Sequence, residues 1–547
     1  MLYLLKKTVI RFIIFFLLTS ISGCKTTVSY SPNASRLIYN NDGSEILGNN
    51  WFDQRPLTIA DVNQYVDMIA HSQVTTFMIC SGSDFFYYPS KYGRLIGNDK
   101  NATLSCINDT ALYKALRRFY NNAAALEKQG TDIIEATVKR AKEKQLEAFI
   151  TYRMNDLHFA DTSTHCSLQY SDFWSEHPEF WTNDTTLAGW NSRNALDFAH
   201  KEVRDHKLNI IREQLEKYGA LIDGYELDFM RFIVYFKKSE AEQNAPLITD
   251  LIQSVKKITD SVGKIHNKKI LLTARVPSTI SDCKKKGLDV QTWVKLGLID
   301  FITLGVHWRG EPAMPVANFK KAAGQAIPVY ATLDDGGYNP REVYSHGMYR
   351  GMASHALAQG AAGLNLFNYF FTAYNKAGGQ LTTEQGTVVC RIIAPELLQE
   401  LGSLKTLEKR NKIYTLSDGA TSYDLTPNSP LPLKIHSGNK ANIFVGDDVK
   451  KNKPKEIVLF VRTGNTDSCS VSVNGYILKD TSAAYPELYD RRKGLSNDQK
   501  VWAFVVPHDY IKQGNNELLF SSASNNLMVL RIELALNYGD IKNYGYF

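Results

Sequence analysis

The sequence predicts a (β/α)8 barrel, or TIM barrel, followed by an all-β sandwich. Between about residue 50 and residue 400, apolar runs rich in β-branched residues alternate with amphipathic stretches of helical period. Eight of these runs have the apolar character of strands buried on both faces, and each leads to a helix or a long loop. Beyond residue 403 the helical pattern ends, and short strand-like runs separated by turns follow. A doubly wound open sheet is the alternative for the first part.

Composition excludes several other classes of protein. The chain has 547 residues, of which 44% are hydrophobic, and a formal charge of +7. This apolar content is too high for intrinsic disorder, and seven Cys are too few for a disulfide scaffold. No GxGxxG or P-loop motif follows the first strand, which disfavours dinucleotide and nucleotide cofactors. The positive charge is small, and no nucleic-acid partner is needed to explain it.

Residues 1–23 have the pattern of a secretory signal peptide. Basic residues precede an apolar run over residues 12–18 that is too short to be a good membrane-spanning helix. The ending, Ile21-Ser22-Gly23-Cys24, resembles a bacterial lipobox. The resemblance implies cleavage before Cys24, lipidation of Cys24 and a lipid anchor that holds the protein at the bacterial cell envelope. Plain secretion with an incidental cysteine is the alternative.

A tether over residues 24–48 and a barrel over residues 49–402 are expected to follow. The eight predicted strands, in chain order, cover residues 74–80, 146–153, 195–198, 221–229, 269–276, 300–307, 327–333 and 362–370. A helix over residues 383–402 is predicted to close the barrel. Two long segments, residues 81–128 and 155–194, follow the first two predicted strands and are rich in aromatic residues. They suit a sugar-lined cleft at the catalytic face, or the aromatics simply pack the loops.

One segment, residues 194–232, carries a family resemblance. It reads NALDFAHKEVRDHKLNIIREQLEKYGALIDGYELDFMRF. This segment resembles the barrel glycoside hydrolases called family-10-like or DUF187-like. The shared features are H-x-E-V-R-D at the start of a long helix, followed by D-G and then an Asp and an Arg on the next strand. The resemblance implies hydrolysis of glycosidic bonds without a cofactor, at the C-terminal mouth of the barrel.

The fourth predicted strand places two carboxylates on one face. Side chains alternate along a strand, so Glu226 and Asp228 share the inward face while Tyr225 and Leu227 face the helices. Buried neighbouring carboxylates raise the pKa of one member, which suits acid/base catalysis. We expect Arg231 to be the counter-ion, and a purely structural salt-bridge cluster is the alternative.

A chitinase-like barrel carries the pattern DGxDxDxE at this strand. The present chain departs from it, because Glu226 replaces the middle Asp and Met230 stands in place of the catalytic Glu. The departure argues against substrate-assisted chitinase chemistry.

Hydrolysis of a glycosidic bond usually requires a second carboxylate. The seventh predicted strand ends in Asp334 and Asp335, so we expect Glu226 or Asp228 to act with Asp334 or Asp335. The Asp-Asp-Gly-Gly sequence is also compatible with an ordinary loop. Glu311, after the sixth strand, is the reserve candidate.

Polar and aromatic residues at other strand ends are expected to bind substrate, because guanidinium groups bind carboxylate or sulfate and other polar groups bind hydroxyls. The candidates are Arg153, Asn155, Asp156, His158, Arg231, Arg275, His307, Trp308, Asn368 and Tyr369. Acidic or sulfated carbohydrates are therefore among the expected substrates. Metal binding by Asp156, His158 and Asp228 is conceivable, but their spacing is not diagnostic and we predict no metal.

Residues 403–547 are predicted to form the sandwich, with Asn474-Gly475 as a hairpin turn. This domain either binds glycan or only stabilises the barrel. The sequence therefore predicts an envelope-anchored glycoside hydrolase that acts on a polysaccharide or oligosaccharide. A non-catalytic surface glycan-binding lipoprotein on a barrel scaffold is the alternative.

Overall fold

The structure, a computed structural model, describes residues 34–48, 55–98, 110–157, 171–189, 191–307, 310–324, 326–334, 345–369, 381–382, 388–389, 395–417, 423–435, 439–464, 468–485, 499–523 and 527–539. Four of the residues selected from the sequence, Cys24, His158, Trp308 and Asp335, lie outside this part of the chain.

Eight parallel strands close into a barrel in chain order, which confirms the predicted TIM barrel. The strands are β1 (Arg36–Asn41), β2 (Thr76–Cys80), β3 (Glu147–Arg153), β4 (Gly224–Asp228), β5 (Leu271–Pro277), β6 (Phe301–Gly305), β7 (Val329–Asp334) and β8 (Gly363–Phe367). The barrel is closed by the pairing of β1 with β8, in which Ile38 is the partner of Asn365.

The number of strands was predicted correctly, but one strand was missed and one predicted strand is not formed. Strand β1 lies inside the predicted tether, and residues 195–198 are not a barrel strand. The sequence RLIYNN of β1 has only three consecutive apolar residues, because its inward side chains include Arg36 and Asn40. Residues 195–198 are buried like a strand, but their backbone instead pairs with the loop around Phe180 and Thr182.

Helices surround the barrel. They are α1 (Ser44–Gly48), α2 (Ile59–Ala70), α3 (Thr110–Glu127), α4 (Ile133–Glu143), α5 (Asp172–Glu176), α6 (Lys201–Tyr218), α7 (Ala245–Ile265), α8 (Ile280–Lys285), α9 (Val290–Lys295), α10 (Val316–Ala323), α11 (His346–Ala358) and α12 (Leu404–Leu407). The outward strand side chains, such as Tyr225 and Leu227, pack into one apolar core with the helices. Within the described ranges, no helix is long and apolar enough to cross a membrane.

The helix predicted over residues 383–402 is not formed in the parts of that segment that the structure describes. Two short strands, β9 (Leu381–Thr382) and β10 (Val388–Val389), pair with each other, and a 3-10 helix covers Pro395–Gln399.

The C-terminal region consists of antiparallel sheets, as predicted. Its strands are β11 (Lys412–Leu416), β12 (Leu433–Lys434), β13 (Lys440–Val445), β14 (Glu456–Thr463), β15 (Ser470–Val473), β16 (Tyr476–Ile477), β17 (Lys500–Val505), β18 (Gly514–Ser521) and β19 (Met528–Asn537). One sheet has the order β11-β19-β14-β17, with β12 paired to β19, and the other has the order β13-β18-β15-β16. Side chains of both sheets share an apolar core, which makes this region a sandwich.

The sandwich packs tightly against helix α11 of the barrel. A Cβ atom on Gly351 would lie 2.1 Å from the carbonyl oxygen of Ile413 in β11. At the same seam, the buried Tyr414 hydroxyl of β11 donates to Ser354 Oγ of α11 at 2.9 Å. Because the contact is both close and polar, the sandwich holds a fixed position on the barrel.

Candidate active site

The inward side chains of the barrel form three tiers, since alternate residues of each strand face the interior. We define the lower tier by Arg36, Glu147 and Tyr330, at the amino ends of their strands. We define the middle tier by Glu226 and its partners on β1, β3 and β6. We define the mouth by the polar residues at the carboxyl ends of the strands. The register places Asp228 beside Arg153 on one side and beside Arg275 on the other.

Arg275 lies between two carboxylates of the mouth. Its Nη1 atom is 3.3 Å from Asp228 Oδ2, and its Nη2 atom is 3.8 Å from Asp334 Oδ2. The two nitrogens belong to one rigid planar group, so the two oxygens lie no more than about 9 Å apart. The guanidinium carbon is 3.7 Å from the centre of the Phe367 ring. Two sequence-predicted carboxylates, one from β4 and one from β7, therefore meet at a single cation.

The carboxylate of Asp228 is held at both oxygens. Oδ1 accepts a hydrogen bond from the backbone N–H of Met230 at 2.8 Å, while Oδ2 faces Arg275. Arg275, predicted only as a substrate-binding residue, is thus a cation beside Asp228.

Arg231 belongs to the neighbouring part of the mouth. Burial, together with the charge of Arg153, lowers the pKa of Arg231 from its ordinary value. The carboxylates of Asp156, Asp42 and Asp334 act in the opposite direction. Arg231 thus has both positively and negatively charged side chains around it at the mouth.

Arg153 joins two further carboxylates. Its Nη1 donates to Asp156 Oδ2 at 2.9 Å, and its Nη2 lies 3.3 Å from Asp42 Oδ2. Asn368 Nδ2 also reaches Asp42 Oδ2, at 3.4 Å. Asp42 was missed from the sequence, because the strand that it follows was read as tether. The run Asn41-Asp42-Gly43 after three apolar residues was the available signal.

Glu226 lies in the middle tier, below Asp228. Its Oε1 accepts hydrogen bonds from Thr151 Oγ1 at 2.8 Å and from Asn40 Nδ2 at 2.9 Å, and its Oε2 accepts one from Thr303 Oγ1 at 3.3 Å. The residue is completely buried. Burial first, and the charge of Asp228 second, raise the pKa of Glu226 to about 7. Near neutral pH this group therefore exists partly as the neutral acid.

Several buried polar atoms in and around the two upper tiers have no hydrogen-bond partner among the described residues. They are Asn40 Oδ1, Asn365 Oδ1, Asn368 Oδ1 and Arg275 Nε. Such atoms are costly unless a water or ligand satisfies them. The upper part of the barrel interior therefore contains polar atoms whose hydrogen bonds are not all made within the described residues.

Three further predicted substrate-binding or catalytic residues form hydrogen bonds with backbone groups of the loops at the mouth. Asn155 Nδ2 donates to the carbonyl oxygens of Leu196 and Val234, so this amide fastens two loops. His307 Nε2 donates to the carbonyl oxygen of Arg231 at 2.6 Å. Glu311, the reserve carboxylate, accepts from the backbone N–H of Ala313 at 2.9 Å.

Tyr369 was wrongly placed at the mouth. Its ring is completely buried and packs edge-on against Tyr349 of helix α11, with ring centres 5.6 Å apart. Residues at the end of a strand alternate between interior and helix layer, and Tyr369 is on the helix side. Asn368, one residue earlier, is the member of this pair that faces the mouth.

The mouth is enclosed in this structure. The exposed fraction is 1% for Asp228, 1% for Arg275 and 4% for Asp334. Enclosure lowers the local dielectric constant and strengthens interactions among the charged groups. In the described ranges, no group of three or more His, Cys, Asp or Glu side chains is arranged to hold a metal ion.

No protein-family model matches the chain, and no curated protein matches its sequence. One similar solved structure is the cycloisomaltooligosaccharide glucanotransferase of Paenibacillus sp., complexed with cycloisomaltoheptaose. Its TM-score is 0.34 at 10% identity, over 93% of this chain and 58% of that one. Another is a GH36 alpha-galactosidase of Geobacillus stearothermophilus in complex with stachyose, with a TM-score of 0.36 at 9% identity, over 92% of this chain and 57% of that one.

The PgaB (BpsB) glycoside hydrolase domain of Bordetella bronchiseptica has a TM-score of 0.40 at 11% identity, over 68% of this chain and 99% of that one. The present chain thus spans a little over half the length of the first two proteins. At such low identities and TM-scores the likeness to these carbohydrate enzymes is distant. It shows neither a family nor the role of any residue.

Proposed function

We propose that the protein hydrolyses glycosidic bonds at the mouth of its barrel, with Asp228 and Asp334 as the two essential carboxylates. The observation that supports this most is the position of Arg275 between them, at 3.3 Å and 3.8 Å. Glycoside hydrolysis requires two carboxyl groups about 5 to 9.5 Å apart on either side of the scissile bond. The upper bound of about 9 Å set by Arg275 is compatible with that requirement.

The contacts suggest different roles for the two groups. Asp228 has the closer approach to Arg275 and also a backbone N–H donor, so we assign it the ionised role at the anomeric carbon. Asp334 has the longer contact, and we assign it the proton transfer to the glycosidic oxygen. In a retaining reaction Asp228 attacks the sugar directly, whereas in an inverting reaction it activates a water molecule.

Glu226 has a supporting role in this proposal. It is enclosed by Asn40, Thr151 and Thr303 one tier below the mouth, so a bound sugar would contact Asp228 first. Its raised pKa, about 7, makes its charge variable near neutral pH. A change in that charge alters the field at Asp228, so we assign Glu226 to tuning the reaction with pH.

The remaining mouth residues would recognise the sugar. Arg153 is already paired with Asp42 and Asp156, so a carboxylate or sulfate group must displace one of them to bind it. Neutral hydroxyls can bind to the same three side chains without breaking the pairs. Both neutral and acidic glycans therefore belong in a substrate screen. The lipid anchor at Cys24 and the envelope location are proposed from the sequence pattern alone.

The proposal is tested by screening the purified protein against 4-nitrophenyl glycosides of both anomeric series and a panel of neutral, uronic-acid and sulfated polysaccharides. Release of nitrophenol or of new reducing ends is expected from at least one substrate, with loss of activity in Asp228→Asn and Asp334→Asn. Azide added to Asp228→Gly yields a glycosyl azide if Asp228 is the nucleophile. Glycan binding without turnover would instead favour the non-catalytic alternative.

A further inference from the structure

A short segment of the sandwich domain lies across the loops of the barrel mouth. This segment, residues 423–428, belongs to the connection between β11 and β12, and we refer to it as the strap. Asp424 pairs with Lys238 in the loop after β4, at 2.8 Å. Asn428 Nδ2 donates to Ser278 Oγ after β5, at 2.9 Å. The strap therefore connects the sandwich to loops of two different barrel strands.

The middle of the strap is held by a two-point contact. Thr426 donates from its backbone N–H to Asp282 Oδ2 at 3.1 Å and from its hydroxyl to Asp282 Oδ1 at 2.7 Å. Asp282 is almost completely buried. Since buried carboxylates need donors, this contact fixes the strap in one position.

Tyr423 begins the strap, and its ring lies over the mouth residues. The ring centre is 4.8 Å from that of His307 and 6.2 Å from that of Phe232, both nearly perpendicular. On another side the ring lies against Gly189, where an added Cβ atom would come within 2.2 Å of it. Only 2% of Tyr423 is exposed. The ring is thus enclosed by two barrel loops and by the 171–189 segment.

The ring of Tyr423, packed between His307 and Phe232, lies close enough to charged groups of the mouth to interact with them electrostatically. Burial chiefly, and the Asp156 carboxylate in addition, raise the pKa of Tyr423 above its ordinary value, while Arg231 lowers it. Tyr423 therefore remains a neutral hydrogen-bond donor at physiological pH. None of the hydrogen bonds among the described residues involves this hydroxyl. A buried hydroxyl near mouth charges, with no hydrogen-bond partner in the described part of the chain, is suited to a ligand.

The backbone of the strap is strained at this point. Tyr423 and Asp424 have φ angles of 62° and 56°, in the left-handed region that non-glycine residues rarely adopt. Two such residues in succession are energetically unfavourable unless surrounding contacts hold them. The contacts of Asp424, Thr426 and Asn428 hold this conformation, and its effect is to direct Tyr423 into the mouth.

We propose that the Tyr423 hydroxyl donates a hydrogen bond to the substrate in the barrel mouth, so that the sandwich domain supplies a specificity-determining residue. This inference rests on the proposed function, since it concerns the same site. It gives the C-terminal domain a part in substrate recognition through the strap.

The test compares Tyr423→Phe with wild type on a substrate that the wild-type protein cleaves in the screen. Phe keeps the ring and removes only the hydroxyl, so the melting temperature should stay unchanged. Loss of one hydrogen bond predicts about a tenfold fall in kcat/KM, mainly through KM. The matched control is Tyr485→Phe, which removes a hydroxyl that bonds Glu456 within the sandwich at 2.6 Å and should leave kcat/KM unchanged.

Deoxy derivatives of that substrate identify the partner oxygen. Wild type should lose about tenfold in kcat/KM at one deoxy position, and Tyr423→Phe should lose nothing further there. Equal kcat/KM for Tyr423→Phe and wild type, with Asp228→Asn inactive, would overturn the role of Tyr423 alone. A wild-type protein that neither cleaves nor binds any glycan would overturn the proposed function and this inference together.

Discussion

The two ends of the barrel both bury arginine–carboxylate pairs, but they bury them differently. In the lower tier Arg36 Nε and Nη2 lie 2.6 Å and 2.7 Å from the two oxygens of Glu147. Thr76 and Tyr330 add further hydrogen bonds to this pair, at 2.5 Å and 2.8 Å. At the mouth, Arg275 approaches Asp228 and Asp334 no closer than 3.3 Å and 3.8 Å.

The difference concerns how completely each cation is paired at the two ends of the barrel. The lower pair is bidentate, short and fully supported, which is the geometry of a permanent structural contact. At the mouth, Arg153 has one short contact with Asp156, but both contacts of Arg275 are long. The mouth also has buried polar atoms without partners among the described residues. Such an arrangement costs stability and is typical of sites that are completed by a bound molecule.

Removing the carboxylate of the lower pair should have the largest effect on stability. Glu147→Gln leaves the buried Arg36 guanidinium without its anion, and we expect a loss of about 3–5 kcal/mol in the free energy of unfolding. Urea unfolding measures the change. Turnover per folded molecule should stay near the wild-type value. A stability change below about 1 kcal/mol would show that the two ends of the barrel do not differ as described.

Glu226→Gln should change how stability depends on pH. The folded pKa of Glu226, about 7, lies above its ordinary value of 4.5, so its contribution to stability is fully present below about pH 4.5 and is lost as the pH rises through 7. A neutral Gln removes that loss, and its amide can donate to the partnerless Asn40 Oδ1. At pH 8 the variant should therefore be more stable than wild type by up to about 3 kcal/mol. Thermal unfolding at pH 5 and pH 8 measures this, and an unchanged pH dependence would contradict it.

Arg275→Lys tests whether one planar cation is needed between the two mouth carboxylates. A lysine ammonium is a point charge and cannot reach both Asp228 and Asp334 as the guanidinium does. We expect roughly a tenfold fall in kcat/KM, with a change in stability below about 1.5 kcal/mol. Wild-type kinetics in this variant would remove the main support for the carboxylate pair.

We expect the smallest effect on stability from a solvent-exposed ion pair. Asp424 and Lys238 are 45% and 54% exposed in their side chains, so water and salt screen their interaction. Asp424→Asn should lower the free energy of unfolding by less than about 1 kcal/mol. A loss as large as that of Glu147→Gln would mean that burial does not control the strength of these pairs.

Much of the barrel could be predicted from the sequence, because apolar strands and helical periodicity recur along the chain. Strand β1 could not, since its inward residues Arg36 and Asn40 have partners that lie far away in sequence, on β3 and β4. Because β1 was not predicted, Asp42 at its end was not recognised as a mouth residue either. The opposite error occurred at residues 195–198, where a strand was predicted that is not formed. A buried loop can be as apolar as a strand.

The sequence indicated which types of side chain line the barrel interior, but not which of them pair with each other. Period-two alternation correctly placed Glu226 and Asp228 inside the barrel, and both make inward contacts. It could not reveal that Arg275 lies beside Asp228, because that depends on the register between β4 and β5. The approach of Tyr423 to the mouth depends on how the sandwich docks, and no local pattern reports that.

The most direct test of the account compares Asp228→Asn with Glu147→Gln on one cleaved substrate, with kcat and the free energy of unfolding measured for both. We expect Asp228→Asn to lose about 10²–10⁴-fold in kcat while its stability changes little. Glu147→Gln should lose about 3–5 kcal/mol of stability and keep its turnover per folded molecule. An active Asp228→Asn variant would contradict the central claim that this mouth carboxylate performs the chemistry.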